Sequence, residues 1–342
     1  MSRHESNTIF LLIAGGLLST NLLITFFLLP VLPLWGASLV FLFLSSFLLL
    51  DYIPQFSIPL LHYAIVLPIS SGLALSATAV TIGAVSFPTL LLGYISYVGW
   101  IVLVSTTSIV AVILGGVYAQ KIIVRKEVLQ TGKPLRIAHI SDIHLGSIYG
   151  VQKVKQIVNH IQKLDPDIIL ITGDIFDGTG RPGKEWLEPF QKLERVYAVL
   201  GNHDAYFDAG KAQVYLEENN IEVLRNQKVE FKGYSIYGYD DEEVTYPVAP
   251  FIEPDTNPSI CMYHRPGPKT FIQKMPYDLV LSGHVHRGQI LPLGWLGKLL
   301  DTYFYGWYRL PDTTLNVSSG TATGGAPVRI GTSSEIVLIE CR

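Results

Sequence analysis

The run Asp167-Ile168-Ile169-Leu170-Ile171-Thr172-Gly173-Asp174-Ile175-Phe176-Asp177 joins a short apolar stretch to a glycine and two carboxylates three residues apart. A continuous apolar run of this length, closed by a turn residue, reads as a buried strand. The same unit recurs on both sides of it. Leu135 to Ile140 is a strand followed by Asp142-Ile143-His144, and Val196 to Leu200 is a strand followed by Gly201-Asn202-His203-Asp204. Ile260 to Tyr263 leads into His264-Arg265-Pro266, and Leu279 to Leu281 into Gly283-His284-Val285-His286. Between them, Val151 to Leu164 carries apolar residues at Val151, Val154, Ile157, Val158 and Ile161, a helical spacing. A second helix is expected near Lys211 to Asn219, and further strands at Ser235 to Tyr239, Thr314 to Val317 and Ile336 to Ile339. Strands alternating with helices predict a layered α/β domain over residues 135–342, with its site at the C-terminal ends of the strands.

Residues 1–120 are a different material. The chain has 342 residues, 49% of them hydrophobic, and its 25 Lys plus Arg nearly balance 28 Asp plus Glu. Of these charges only Arg3, Glu5 and Asp51 precede Gln120. A span needs roughly 20 apolar residues, and Ile9 to Leu29, Leu34 to Leu50, Leu60 to Gly83 and Gly93 to Tyr118 all qualify. A cleaved signal peptide has one short apolar region, and soluble helices alternate faces, so neither accounts for four such stretches. The expectation is an all-α transmembrane domain of about four helices over 1–120 and a basic juxtamembrane linker over 121–134. Lys121, Arg125, Lys126 and Lys133 follow the last span, which places the second domain in the cytoplasm. Near-balanced charge gives no footprint for nucleic acid. Cys261 and Cys341 have no ligand spacing and no disulfide pattern, and are read as inert buried thiols.

The polar residues after the strands are Asp, His and Asn, without a thiolate, a donor set that suits manganese, iron or zinc. Residues i and i+2 of an extended strand end share one face, so Asp142 with His144, and His284 with His286, can each point at one ion. A carboxylate shared by two ions, here Asp174, builds the two-metal arrangement used for in-line attack on phosphorus. Taken singly the motifs are weak: Gly173-Asp174 is a common turn, Asp204 a plausible helix cap, and His264 an ordinary hydrogen-bonded histidine. Taken together they hold five of the nine histidines, leaving His4, His62, His139 and His160 as structural or solvated.

In that order, Asp-x-His, Gly-Asp-x-x-Asp, Gly-Asn-His-Asp, His and Gly-His-x-His, the motifs resemble those of the calcineurin-like metallophosphoesterases. The resemblance spans Leu135 to Cys341 and implies an αββα layered sandwich. Within that family Gly283-His284-Val285-His286-Arg287-Gly288-Gln289 and the tail Val328-Arg329-Ile330 with Glu335-Ile336 look closest to the membrane-associated bacterial branch that includes the UDP-2,3-diacylglucosamine pyrophosphohydrolases. Arg287 departs from the glycine usual there, and four spans depart from a single anchor. The resemblance implies one metal held by Asp142, His144, Asp174 and His286 and another by Asp174, Asn202, His264 and His284. It also implies His203 as the group that stabilises or protonates the leaving oxygen, Asp204 as the residue orienting His203, and Asp177 as a supporting residue.

The expected protein is a multi-pass bacterial inner-membrane phosphoesterase with two divalent ions, manganese foremost. Its partners are the bilayer and a phosphorylated, lipid-linked substrate carrying a phosphate ester or pyrophosphate bond. The alternatives are a phosphodiesterase for a soluble diester or nucleotide, and a catalytically silent membrane sensor or scaffold. Leu291 to Leu310, with Trp295, Tyr303, Phe304, Tyr305, Trp307 and Tyr308, is expected either at the interface or packed over the domain's own core.

Overall fold

The computed structural model describes residues 78–79, 81–83, 85–178, 182–246, 250–254, 258–267, 272–291 and 303–342. The expected spans Ile9 to Leu29 and Leu34 to Leu50, with most of Leu60 to Gly83, lie outside them. The chain divides into two compact units, Met1–Leu114 and Gly115–Arg342. Helix α1, Tyr97–Ala119, has 23 residues, and its mean hydropathy of 2.2 is that of a bilayer span. At 1.5 Å per residue it measures roughly 35 Å, enough for a hydrocarbon core of about 30 Å. It starts later than Gly93 because the chain turns at residues 92–96 after a helical stretch at 85–91. Across that turn Trp100 Nε1 donates to Ser86 Oγ at 3.0 Å. Only 11% of the most apolar window of α1 is buried, and Val102, Ile109, Ile113 and Leu114 stand exposed.

The second unit contains twelve described strands in two mixed sheets. The first sheet is formed by β1 (Ile122–Leu129), β12 (Ser334–Cys341), β2 (Leu135–Ile140), β3 (Ile168–Thr172), β4 (Val196–Val199) and β5 (Ile221–Val223), in that spatial order. The second runs β10 (Gly306–Arg309), β11 (Thr314–Val317), β9 (Leu279–Ser282), β8 (Ser259–Tyr263), β7 (Tyr234–Tyr239) and β6 (Gln227–Phe231). Strand period decides the layers. In β2, Leu135 and Ile137 join Ile168, Leu170, Ile260, Met262 and Leu281 in the seam between the sheets. Ala138 and Ile140 face the other way, under helix α2 (Val151–Leu164), whose Val154, Ile157, Val158 and Ile161 complete that core. Helices α3 (Asn202–Phe207) and α4 (Ala209–Glu217) and a 3-10 segment, Lys184–Lys192, lie on the same side. The outer face of the second sheet is covered, among the described residues, by Tyr237, Tyr239, Ile272, Met275, Tyr277 and Tyr303.

Several details differ from the sequence reading. The stretch expected as linker contains β1, which pairs in parallel with β12 from Ile122↔Ser334 to Leu129↔Cys341. Its Arg125, Lys126 and Glu127 interrupt the apolar run because β1 is an edge strand with a wet face. Helix α4 begins at Ala209, two residues early, since Asp208 accepts hydrogen bonds from Gly210 N and Lys211 N as its cap. Tyr303 and Phe304 are buried, with Tyr308 packed on the same core and Trp307 on the inter-sheet seam. The described part of the aromatic segment therefore serves the domain's own packing, and Trp295 lies outside the described residues. Cys261 and Cys341 are buried free thiols, as expected.

Candidate metal centre

Five strands of the two sheets deliver their polar successors to one rim. Asp142 and His144 follow β2, Asp174 follows β3, Asn202 and His203 follow β4, His264 follows β8, and His284 and His286 follow β9. Three groups of donors result: Asp142, His144 and His286; His144, Asp177 and His203; and Asp174, His264 and His284, each with ligand atoms within 4.8 Å of one another. Asp174 lies between them, its Oδ2 at 3.0 Å from His264 Nε2 and 3.8 Å from His144 Nε2. Asp142 Oδ1 lies 3.5 Å from His286 Nε2 and 3.9 Å from His144 Nε2.

The pairs two residues apart do not reach the site by the pleat of an extended strand. Asp142 (φ 55), His144 (φ 50), Asp174 (φ 53), His284 (φ 72) and His286 (φ 48) all adopt the left-handed conformation. For residues with a Cβ this conformation costs on the order of 1–2 kcal/mol each. Hydrogen bonds pin it: Asp142 N donates to Gly173 O at 3.0 Å, and Ile143 N and His144 N both donate to Asp174 O, at 2.9 and 3.0 Å. The motif glycines have a steric reason. A Cβ on Gly201 would lie 2.2 Å from Asp174 Oδ1, one on Gly283 1.8 Å from Ser141 Oγ, and one on Gly173 2.7 Å from His264 Nδ1.

Tautomers follow from the partners. His264 Nδ1 donates to the Thr172 carbonyl at 2.7 Å, so its Nε2 turns a lone pair toward Asp174 Oδ2, with no hydrogen bond satisfying it. Two acceptors held this close in a dry pocket require a cation or an added proton between them. Buried Asn202 Oδ1 likewise has no hydrogen-bond partner. Burial opposes ionisation of Asp174, yet the charges of His264 and His203 hold its carboxyl well below the usual range. Burial also opposes charge on His264, but Asp174 pushes it up to about 10; His144 is pushed up to about 9 against burial by Asp177 and Asp174. In the chain alone these protons supply the positive charge that buried carboxylates demand, and the oxygen and imidazole donors fit divalent cations in the same place.

His203 sits at the rim with its side chain 33% exposed. Its Nδ1 donates to the Asp177 carbonyl at 2.9 Å, which leaves Nε2 directed elsewhere. The Asp177 carboxylate lies 3.3 Å from His144 Nδ1, the position of a carboxylate that orients a ligating imidazole. Asp204 does not orient His203. Its Oδ1 accepts from Ile175 N and Phe176 N at 3.0 and 2.8 Å, and its Oδ2 from Gly201 N at 2.9 Å. Fully buried, it ties the β3 and β4 loops together, because after Gly201 the short helix α3 turns its carboxylate inward.

Sequence reasoning quoted Arg329 within the tail Val328-Arg329-Ile330 but gave it no role in the site. Its guanidinium, 1% exposed, donates to the carbonyls of Ser319, Ala322 and His286 and to Ser334 Oγ. It thereby fastens the loop after β11 to the turn that carries His286. A charged residue in the otherwise apolar Val328-Arg329-Ile330 was the one signal available.

Residues 135–288 match the protein family described as calcineurin-like phosphoesterase. The chain is 32% identical over 220 residues to an uncharacterised metallophosphoesterase of Helicobacter pylori, a match covering 60% of each chain. It is 32% identical over 230 residues to a Bos taurus protein named transmembrane protein with metallophosphoesterase domain, covering 59% of this chain and 52% of that one. With an uncharacterised metallophosphoesterase of Bacillus subtilis it shares 30% identity over 233 residues, 62% of this chain and 85% of the relative. The matched region spans little more than half the length of the first two relatives.

Proposed function

The chain belongs to the calcineurin-like phosphoesterase family, and from that premise we propose that it is a membrane-associated, metal-dependent phosphohydrolase. In this reading Asp142, His144, Asp174 and His286 hold one divalent cation, and Asp174, Asn202, His264 and His284 hold the other. The observation that carries it is the Asp174 carboxylate, whose Oδ2 lies 3.0 Å from His264 Nε2 of its own donor group and 3.8 Å from His144 Nε2 of the neighbouring ones. Manganese is the first choice, iron and zinc being the other ions that this donor set accepts. Bound cations supply Lewis acidity toward phosphoryl oxygens and acidify water.

The chain's own groups do the rest. Asp174 Oδ1 accepts from His203 N at 2.9 Å, and Asp142 accepts from His284 N, so each carboxylate is oriented before a substrate arrives. His203, its Nδ1 proton held by the Asp177 carbonyl, offers Nε2 to the leaving oxygen and donates a proton there. Asp177 keeps His144 in register, and Asp204 fixes the loop from which Asn202 and His203 project.

The substrate in this reading carries a phosphate ester or pyrophosphate bond on a lipid or lipid-linked nucleotide. Helix α1, long and apolar enough to span a bilayer, supports membrane association, as does the name of the bovine relative. The basic residues that follow α1 support a cytoplasmic domain. The test is turnover by the detergent-purified full chain of bis-p-nitrophenyl phosphate and UDP-diacylglucosamine, with manganese or chelator, beside His203→Ala. Turnover that needs both metal and His203 is expected, with the lipid nucleotide preferred. Turnover indifferent to chelator would overturn the reading, and preference for the small diester would reassign the substrate to soluble phosphodiesters.

A further inference from the structure

Arg287 follows His286 in the turn that closes the site. Its φ of 53° is a conformation in which glycine is comfortable and an arginine is strained. The turn is held from both sides. Gln289 Nε2 donates to Ala326 O at 2.6 Å, Thr332 Oγ1 to Gln289 O at 2.6 Å, and Arg329 to His286 O at 3.2 Å. The position of Arg287 is therefore built and is not a property of a loose loop.

Its guanidinium stacks on the ring of Tyr305, 4.3 Å from the centroid. Among the described residues it has no carboxylate partner and makes no hydrogen bond, although five N–H donors project from it. The acid that Tyr305 touches is already saturated. Glu335, 1% exposed, accepts from Arg125 Nε at 2.8 Å and Tyr305 OH at 3.0 Å with one oxygen, and from Ser319 N at 2.9 Å with the other. Burial and the charge of Glu335 push the Tyr305 phenol up to about 12, so it is a neutral donor and not an anion. Arg125 cancels Glu335, and among the described residues no carboxylate cancels the charge of Arg287.

This platform is continuous with the ligand groups. Ser319 leads into Gly320, where a Cβ would lie 3.0 Å from both His286 Nδ1 and Asp142 Cβ, and Ala322 N donates to Asp142 O at 3.0 Å. We propose that Arg287, seated on Tyr305, is a subsite for a second phosphate attached to the phosphate that reacts at the metal pair. The planar guanidinium fork matches phosphate oxygens two at a time, and its stacked face leaves those N–H edges free. The proposal rests on the phosphohydrolase reading and narrows its substrate to diphosphates.

The test uses the full chain in detergent, loaded with manganese, and titrates UDP and UMP into wild type, Arg287→Gly and Arg287→Lys. Mixed micelles of diacylglycerol pyrophosphate or phosphatidic acid form the lipid arm. Wild type is expected to bind the diphosphate at least tenfold tighter than the monophosphate in one arm or both. Arg287→Gly brings that ratio to within about twofold and Arg287→Lys to an intermediate value. The melting temperature of Arg287→Gly holds or rises, because glycine suits the left-handed turn. A preference confined to the micelles assigns the second phosphate to a lipid, and one confined to the nucleotides assigns it to a soluble ligand. A wild type that does not distinguish the two in either arm, or a variant that weakens both ligands equally, overturns the subsite. Failure of the wild type to hydrolyse bis-p-nitrophenyl phosphate would instead strike the phosphohydrolase reading, and the binding ratios would still decide the subsite.

Discussion

His139 lies between the two sheets with no exposure, its Nδ1 2.9 Å from Asn316 Oδ1 and its Nε2 2.9 Å from Thr172 Oγ1. Burial pulls its pKa down to about 4 from 6.5. The folded chain thus binds its proton less readily than the unfolded chain. The stability held by the neutral ring is complete above pH 6.5 and is lost as pH falls toward 4, by about 1.4 kcal/mol per unit and about 3 kcal/mol in all. Urea melts of wild type and His139→Gln between pH 7 and 4 are expected to converge as wild type loses that amount. Parallel curves would remove His139 from the acid limb. Arg329 invites a different measurement: Arg329→Lys keeps charge but cannot reach the carbonyls of Ser319, Ala322 and His286 together. Its manganese Kd is expected to rise roughly 10- to 100-fold, the range for residues that orient ligands. Residues like Asp142 and His264 were legible because each stands as a polar interruption directly after an apolar strand. The role of Asp204 was not, since adjacency to His203 in sequence says nothing about which way a helical turn points a carboxylate. Arg329 belongs to no period, so only the folded loop reveals what it holds.

The strand-end loops make the elements of the site, and their backbones matter as much as their ligands. In the loop after β4, Gly201→Ala sets a methyl 2.2 Å from Asp174 Oδ1 and 2.7 Å from Asp174 N, with no flexible side-chain end to give way. Because Asp174 is the proposed ligand of both cations, this substitution is expected to lower metal-dependent turnover at least 100-fold while the far-ultraviolet circular dichroism stays unchanged. A loss under fivefold would mean the loop yields. Strands with both faces buried, such as β3 and β8, were readable as apolar runs. Edge strands were not. β1 is interrupted by Arg125, Lys126 and Glu127, of which the first two are exposed, and β10, Gly306–Arg309, holds Trp307, Tyr308 and Arg309 in a stretch read for its aromatics. Helices gave clear periods, but their starts depended on caps, as Asp208 shows for α4.

Across the whole second unit, the two sheets meet through an apolar seam and through the ligand groups at one rim. Asp142, His144 and Asp174 come from the first sheet and His264, His284 and His286 from the second, so cations held in the proposed way would cross-link the layers. Metal at 100 times its Kd is worth about 2.7 kcal/mol to the folded state. Chelation is expected to lower the melting temperature of the full chain by roughly 5–10 °C for a unit of this size. An unchanged melting temperature would mean that the folded chain holds no cation in preference to the unfolded one. The order β1-β12-β2 has a consequence for how the protein is made. The two strands synthesised first are not neighbours, and the slot between them is filled by residues 334–341, which leave the ribosome some two hundred residues later. Until then β1 and β2 face each other across an open slot with two unpaired edges, the condition in which nascent chains pair wrongly or recruit chaperones. The first sheet therefore closes late in folding: β12 works as a key, and Ser319, Thr321 and Glu335 lock the site only once that key is home.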